Sequence, residues 1–128
     1  MSAVVFDASA ILAVLRKEPG ADRVLVHVGN AIVSAVNLQE AVKELTLEGI
    51  PLAVAREMLG ELRLGVVSHD ADAAYAAGAL ASQTKRYGRG LGDRSCMALG
   101  IALGATVVTA DREWRKVEIE GLTLEHVR

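Results

Sequence analysis

Two aspartates lie directly after short apolar runs of the kind that form buried strands. Asp7 follows the run at residues 4–6, and Asp111 follows the run at residues 107–110. In a parallel α/β sheet the carboxyl ends of the strands form the edge where ligands bind, so both side chains are expected to emerge there. The spacing therefore predicts two neighbouring carboxylates at one edge of a sheet.

Two further acids are placed to join them. Asp93 begins a predicted helix at 93–103 that leads into the second of these strands, and Glu40 lies early in a predicted helix at 35–48. Carboxylates within about 4 Å of one another repel by roughly 4 kcal/mol per pair at an effective dielectric near 20. Either protonation or a divalent cation must relieve this, and oxygen-only ligands favour Mg²⁺ or Mn²⁺ over zinc. Such an ion supports phosphodiester hydrolysis by activating a water and offsetting charge on the leaving oxygen.

Each acid also has a purely structural interpretation. Asp7 or Ser9 could cap one helix and Asp93 another, and Asp111 could be a turn residue. Glu40 shares helical spacing with a set of polar residues typical of a solvated face, or it could form a capping box with the first of them; the set is Asn37, Glu44 and Glu48. Spacing alone leaves both interpretations open.

The elements that must position these acids alternate between short β-branched runs and longer helical patterns. Strands are predicted at 4–6, 31–33, 66–67, 106–108 and 122–124, and helices at 8–17, 21–28, 35–48, 51–64 and 93–103. A further Ala-rich helix is expected from its Asp70 cap to about Tyr87, closed by Gly88, with a loop over 88–92. The strands are apolar throughout instead of alternating, which favours an α/β fold with a parallel sheet covered on both faces.

Composition sets the remaining limits. A chain of 128 residues, 52% hydrophobic and 3% aromatic, indicates one domain over residues 1–128 with an aliphatic core. The net charge of −2 excludes a global basic field, so any contact with nucleic acid must be local. The single cysteine, Cys96, is expected to be a buried small hydrophobe. The start lacks the order of a signal peptide and residues 95–110 are too short to span a membrane, so a cytoplasmic location is expected.

Four segments, in this order, resemble the motifs of the PIN-domain ribonucleases, and most closely the VapC-type toxins of VapBC toxin–antitoxin systems. Each segment carries one of the acids, and the resemblance covers the whole chain; the segments are residues 5–10, 34–40, 91–99 and 107–114. Any one motif is weak, but four in order at fitting separations are specific.

The resemblance implies a three-layer α/β/α fold with a central parallel sheet of about five strands. It also implies Mg²⁺ or Mn²⁺ in an acidic pocket, endonucleolytic cleavage of RNA, inhibition by a VapB-like antitoxin protein, and a homodimer. By this resemblance Asp7, Asp93 and Asp111 bind the metal, and Glu40 joins them and positions or deprotonates the attacking water.

The resemblance also suggests supporting residues. Ser9 and Thr109 are candidates to orient the carboxylates, although a hydrogen bond to backbone is an equally good interpretation of each hydroxyl. Ser95 stands where some PIN nucleases carry another acid, which weakens the case for a second metal ion. Glu113 is a candidate to substitute there, but an exposed turn residue is the preferred interpretation.

Basic residues flank two of the acidic motifs and are candidates to contact RNA phosphates. Arg94 and Arg112 are the strongest because each adjoins an acid of the site; the others are Lys85, Arg86, Arg89, Arg115 and Lys116. A solvated surface is the alternative for all of them, and the charges of Lys85 and Arg86 would also suit a helix C-terminus. Trp114 is expected to cover the edge of the core and not to stack on a base.

Two other classes of function share part of this pattern. A receiver-like or dehalogenase-like phosphoryl-transfer domain also places acids at strand ends, but Asp7 has no second Asp beside it and no Lys follows the last strand. A PIN-like fold that is a catalytically silent binding module stays open, as does a housekeeping PIN nuclease without an antitoxin.

Overall fold

The computed structural model describes residues 2–128 and contains one five-stranded sheet. All four pairings between neighbouring strands are parallel, and the strand order is β3-β2-β1-β4-β5. The strands are β1 (Val4–Phe6), β2 (Ala31–Ser34), β3 (Gly65–Val67), β4 (Thr106–Thr109) and β5 (Thr123–His126). The predicted parallel sheet is confirmed.

Six α-helices connect these strands. They are α1 (Ala8–Leu15), α2 (Ala21–Leu25), α3 (Ala35–Leu47), α4 (Leu52–Gly60), α5 (Ala71–Gly78) and α6 (Leu91–Leu103). Two short 3₁₀ helices follow α5 and β4, at Ala79–Gln83 and Arg112–Lys116. No helix within residues 2–128 is long and apolar enough to cross a bilayer.

Successive residues of the central strands enter different cores. In β1, Phe6 packs into a cluster built with α1 to α4, whereas Val5 packs into a second cluster with α5, α6 and the 3₁₀ helix after β4. The pair Val107 and Val108 in β4 divides in the same way. Both faces of the sheet are therefore covered, as the uniformly apolar strands predicted, and the molecule has the expected three α/β/α layers.

The predicted helix from Asp70 to Tyr87 is wrong in its second half. Asp70 does cap α5, accepting from the Ala73 N–H at 2.9 Å. The α-helix then ends at Gly78, a poor helix former, and tightens into the 3₁₀ helix, after which the Thr84 hydroxyl bonds the Leu80 carbonyl oxygen at 2.9 Å. Gly88 therefore caps no helix.

Gly88 has a different reason for lacking a side chain. It adopts φ +69° in the loop before α6, and a Cβ there would come within 2.5 Å of Met97 Cε. Lys85 and Arg86 are exposed and follow Thr84, the C-cap of the 3₁₀ helix, so neither lies in the last turn of a helix and neither caps the predicted α-helix.

Other boundaries differ by a few residues. The last helix, α6, begins at Leu91 and not at Asp93, because Asp93 occupies the third helical position and its carboxylate accepts from the Gly90 N–H. The strand β5 starts one residue later than predicted, at Thr123. Helices α1, α2 and α4 are shorter than predicted, and the chain after α2 continues in single turns such as His27 N–H to the Val24 carbonyl oxygen.

The strand order fixes where a site can form. From β1 the chain moves outward on one side through β2 and β3, then returns to place β4 on the other side of β1. The crevice between the carboxyl ends of β1 and β4 is thus the point where the strand order reverses, the usual ligand site of such sheets. Asp7 and Asp111 follow these two strands. The C-terminal end of α6 leads into the start of β4, so the N-terminal end of α6 lies at the opposite edge of the sheet, where the strands end.

Candidate active site

The four acids singled out from the sequence line one pocket. Asp7, Glu40, Asp93 and Asp111 surround a cavity of about 180 Å³, together with Ser9, Asn37 and Lys43 among others. Asp7 and Asp111 follow β1 and β4, Glu40 lies in the second turn of α3, and Asp93 lies in the first turn of α6. The fold thereby brings together Asp7 and Asp111, which are 104 positions apart in the chain.

Asp7 is the most deeply buried of the four, with 4% of its surface exposed. Its Oδ1 accepts from the Ala10 N–H at 2.8 Å, which caps α1. The Ser9 hydroxyl lies 2.7 Å from Oδ1 and 2.8 Å from Oδ2, and the Thr109 hydroxyl donates to Oδ2 at 2.6 Å. The Asp7 carboxylate therefore accepts three hydrogen bonds. A carboxylate has about four acceptor positions, so roughly one is left for another ligand.

The two hydroxyls are themselves oriented by backbone amides. Ser9 Oγ accepts from the Ala110 N–H at 2.9 Å, and Thr109 Oγ1 accepts from the Asp111 N–H at 3.0 Å. Each hydroxyl has one hydrogen, and in each case it points to Asp7. The two alternatives for these hydroxyls, a backbone hydrogen bond or the orientation of a carboxylate, are both realised in one arrangement.

Burial raises the pKa of Asp7 from 3.8 to about 6. Desolvation is the largest cause, and the charge of Asp111 adds to it, whereas the hydrogen bonds from Thr109, Ser9 and Ala10 oppose it. The side chain is therefore held in a charged form at neutral pH against a substantial cost of burial.

Glu40 enters the pocket from α3, where a neighbour holds it. The Asn37 Nδ2 donates to Glu40 Oε1 at 2.8 Å and to the Gly92 carbonyl oxygen at 2.9 Å. Burial raises the pKa of Glu40, Asn37 opposes the shift, and the charge of Asp93 adds to it. Asn37 is not a capping residue, because Ser34 caps α3 by accepting from the Val36 N–H, so the capping box suggested for Asn37 and Glu40 is wrong.

Asp93 and Asp111 each accept a backbone hydrogen bond at the start of a helix, but not in the predicted form. Gly90 and not Asp93 is the N-cap of α6, and Asp111 caps the 3₁₀ helix Arg112–Lys116 instead of lying in a simple turn. Asp93 accepts from the Gly90 N–H at 3.1 Å, and Asp111 Oδ1 accepts from the Glu113 N–H at 2.9 Å. Burial raises the pKa of Asp93, and the charge of Asp111 contributes in the same direction. Capping and membership of the acidic pocket are thus compatible, since each cap uses part of a carboxylate.

The pocket collects negative charge without an ion pair to balance it. Within residues 2–128, none of the four carboxylates lies within salt-bridge distance of a Lys, Arg or His; Lys43 lines the pocket and lowers the pKa of Glu40 from farther away. The acids act on one another instead: Asp111 on Asp7 and on Asp93, and Asp93 on Glu40. A divalent cation would relieve this repulsion.

The donor set suits one kind of cation. It consists of hard oxygen atoms, but across residues 2–128 no three His, Cys, Asp or Glu side chains stand close enough together to hold one ion as a ready-made cage. Mg²⁺ typically keeps several waters and binds through one or two carboxylates plus substrate phosphates. The residues therefore fit a hydrated Mg²⁺ or a similar ion held partly through water.

The remaining candidates differ in their surroundings. Arg112 is exposed beside Asp111, whereas Arg94 is half-buried and donates to the Arg89 carbonyl oxygen at 2.6 Å. Ser95 is buried and bonds the Leu91 carbonyl oxygen at 2.8 Å, and Glu113 is exposed as expected.

Two core predictions are confirmed. Cys96 is fully buried, and burial raises the pKa of its thiol well above the usual value, so a nucleophilic thiolate is disfavoured. Trp114 is 1% exposed in the core beside α6, which leaves no face for a base to stack on. Its indole lowers the pKa of nearby Asp93, although Nε1 has no hydrogen bond of ordinary length within residues 2–128.

Sequence reasoning missed two residues of this site. The helical spacing favours either a solvated stripe or a capping box for Asn37, but the buried stripe of α3 runs through Asn37, Ala41 and Leu45. The sequence predicts a loop at Gly92, but this residue is the second of α6 and abuts Glu40. The spacing of Asn37 with Ala41 and Leu45 was the available signal for the first; no signal in the sequence pointed to the second.

Three solved structures share this fold with the chain at sequence identities below 25%. DNA-bound VapBC from Salmonella typhimurium contains a chain 23% identical, with a TM-score of 0.74 and 100% of each chain covered. VapBC2 from Rickettsia felis, bound to a DNA fragment from its promoter, gives 19% identity and a TM-score of 0.73 over 96% of this chain and 97% of the other. A chain of VapBC-1 from nontypeable Haemophilus influenzae is 21% identical, with a TM-score of 0.67 over 97% of this chain and 97% of the other.

No curated protein sequence matches the chain significantly. The family model of the PIN domain matches residues 4–120, which span all four acidic motifs. The resemblance drawn from those motifs is therefore confirmed at the level of the family, and the chain belongs to the PIN domain family.

Proposed function

We propose that this protein is a metal-dependent endoribonuclease and the toxin component of a toxin–antitoxin pair. The observation that carries the proposal is the pocket itself, in which four carboxylates from four separate elements meet at the carboxyl edge of the sheet without an ion-pair partner among residues 2–128. Such crowding costs folding free energy, so it is expected where a cation and a substrate require it.

Three aspartates and two hydroxyl groups have different roles in binding the metal ion. Asp7, Asp93 and Asp111 would hold Mg²⁺ or Mn²⁺, directly or through water, and Asp7 has about one acceptor position left for it. When bound, the ion supplies Lewis acidity toward the phosphate and charge for the leaving oxygen. Ser9 and Thr109 keep the Asp7 carboxylate in one orientation.

Glu40 is the carboxylate best placed to handle a proton. Burial raises its pKa, and the Asn37 amide fixes one of its oxygens, which leaves Oε2 without a hydrogen bond from residues 2–128. We assign it the orientation and deprotonation of the attacking water. Arg112, exposed beside Asp111, is the basic residue best placed to contact an RNA phosphate.

The toxin assignment rests on the structural relatives. Those from Salmonella typhimurium, Rickettsia felis and Haemophilus influenzae are VapBC proteins, and a chain of each matches this one over nearly its whole length. By analogy we propose a VapB-like antitoxin as partner, and a homodimer in the cytoplasm as the assembled form.

Cleavage of RNA by the purified protein, freed of any co-expressed partner, tests the proposal. Cleavage is expected with Mg²⁺ or Mn²⁺ and not with EDTA, and Asp7→Asn and Asp93→Asn should each lower it by at least about a thousandfold while circular dichroism stays unchanged. Asp22→Asn, an exposed aspartate on α2, is the matched control and should cleave normally. Metal-independent cleavage would contradict the assigned chemistry.

The cleavage assay, together with the gene neighbourhood and the effect of expression on cell growth, separates the alternatives. A wild-type protein that binds RNA or another protein but cleaves nothing would be the silent binding module. A nuclease whose gene has no small neighbour encoding an inhibitor, and whose expression leaves cell growth unaffected, would be the housekeeping enzyme.

A further inference from the structure

The Asn37 amide is buried beside Glu40 in an orientation that its surroundings dictate. The residue is 1% exposed. Its Nδ2 donates one hydrogen to Glu40 Oε1 at 2.8 Å and the other to the Gly92 carbonyl oxygen at 2.9 Å. A carboxylate and a carbonyl can only accept, so the amide must turn its nitrogen toward them. The side chain therefore acts as a double donor between two acceptors on different helices.

This orientation leaves the other end of the amide unsatisfied. Asn37 Oδ1 is buried and has no hydrogen-bond partner among residues 2–128. A buried acceptor without a donor destabilises a fold, which offsets part of what the two hydrogen bonds contribute. An apolar side chain of similar size would fill the same space without that loss, so packing alone does not account for Asn at this position.

Gly92 completes the arrangement from the opposite helix. It is the second residue of α6, and a Cβ built there would overlap both carboxylate oxygens of Glu40 and the carbon between them. Glycine is a poor helix former, so its presence in the first turn of α6 is explained by the space it leaves. Gly92 thus makes room for the Glu40 carboxylate and also supplies the carbonyl that anchors Asn37.

We infer that Asn37 and Gly92 are positioning residues that together hold the Glu40 carboxylate at its place in the acidic pocket. The inference deepens the proposed function and rests on it for its catalytic consequence, but the position of Glu40 can be observed without catalysis. Neither residue contacts substrate in this account; both act through Glu40.

The test uses Asn37→Leu and Gly92→Ala, each made in the wild-type protein and in Glu40→Gln. In the wild-type background each should lower kcat for RNA cleavage by about tenfold or more with KM changed less than about twofold, as expected for groups that orient a reacting residue. In Glu40→Gln neither should lower the remaining single-turnover rate further, because the group they position has lost its role.

Stability and a matched glycine separate positioning from folding. Asn37→Leu loses both hydrogen bonds together with the unsatisfied Oδ1, so its melting temperature is measured and its rate is compared with wild type at a temperature where both proteins are fully folded. Gly60→Ala is the control for Gly92→Ala: Gly60 is also helical, a Cβ there would meet nothing within 4 Å, and the variant should cleave like wild type. An equal loss of rate in both backgrounds, or a loss that follows the unfolded fraction, would overturn the inference.

Crystal structures of Asn37→Leu and Gly92→Ala give a readout independent of cleavage. A Glu40 side chain that has left its wild-type rotamer supports the positioning role. A Glu40 side chain that has not moved in either variant overturns that role. A wild-type protein that fails to cleave RNA would refute the proposed function, and these structures would still decide the placement of Glu40. Should Gly92→Ala fail to fold, Asn37→Leu alone decides.

Discussion

Replacing Asp7 by Asn should stabilise the metal-free protein at neutral pH while abolishing its activity. Asp7 is 4% exposed, and burial raises its pKa from 3.8 to about 6. The folded protein therefore binds a proton at Asp7 more tightly than the unfolded chain does. The stability that this group contributes is complete below about pH 4 and is lost as the pH rises through about 6.

The size of the effect follows from the shift. A difference of roughly two pH units corresponds to about 3 kcal/mol, the cost of keeping Asp7 ionised in the folded state at neutral pH. Asn avoids that cost, but its amide nitrogen cannot accept the hydrogen that Thr109 donates to Oδ2, which removes about 1 kcal/mol at every pH. Asp7→Asn should therefore be about 2 kcal/mol more stable than wild type near pH 7.5 and about 1 kcal/mol less stable near pH 4.

Urea unfolding in EDTA, followed by circular dichroism, measures this at several pH values. At neutral pH the gain corresponds to roughly 8 °C in Tm for a chain of this size. The exposed control Asp22→Asn should stay within about 0.5 kcal/mol of wild type from pH 5 to 7.5. Saturating Mg²⁺ should stabilise wild type more than Asp7→Asn, because the ion favours the ionised carboxylate. A stability difference that does not change with pH would refute the reasoning.

Two further substitutions test the groups around the carboxylates. Thr109→Val keeps the side-chain volume but removes the hydroxyl that donates to Asp7, so Mg²⁺ affinity by calorimetry and kcat should fall about 10- to 100-fold, while the exposed Thr123→Val should change neither. Arg112→Ala should weaken RNA binding and reduce the slope of log affinity against log salt by about 1, with a smaller effect for Arg94→Ala, whose guanidinium bonds the chain itself. An unchanged slope for Arg112→Ala would exclude a phosphate contact.

The parts of the site that follow from topology could be predicted from the sequence. Asp7 and Asp111 follow apolar runs, and parallel strands bring their carboxyl ends to one edge, so their proximity required no knowledge of side-chain packing. Asp93 and Glu40 could be placed at the same edge only because the helices that carry them begin there. Their approach to the first pair depends on how α3 and α6 pack together.

The parts that depend on helix rotation and loop geometry could not be predicted. Polar residues at 37, 40, 44 and 48 share one spacing and 37, 41 and 45 share another, and the sequence does not say which stripe faces the neighbouring helix. Gly78 and Thr84 shorten the helix that Ala-rich composition favours, because a 3₁₀ turn and a side-chain bond to backbone compete with α-helical propensity. Within residues 2–128 no three His, Cys, Asp or Glu side chains are close enough to bind one ion directly. This too depends on side-chain rotamers, which spacing does not specify.

The location of a bound ion is the most direct measurement of the central claim, that these carboxylates share a divalent cation. Crystals of wild type soaked in Mn²⁺ should show an anomalous peak inside the pocket, with Asp7, Asp93 or Asp111 as direct ligand and the others reaching it directly or through water. The peak should be lost in Asp7→Asn. An empty pocket at saturating Mn²⁺, or an ion held only by residues elsewhere on the surface, would contradict the account.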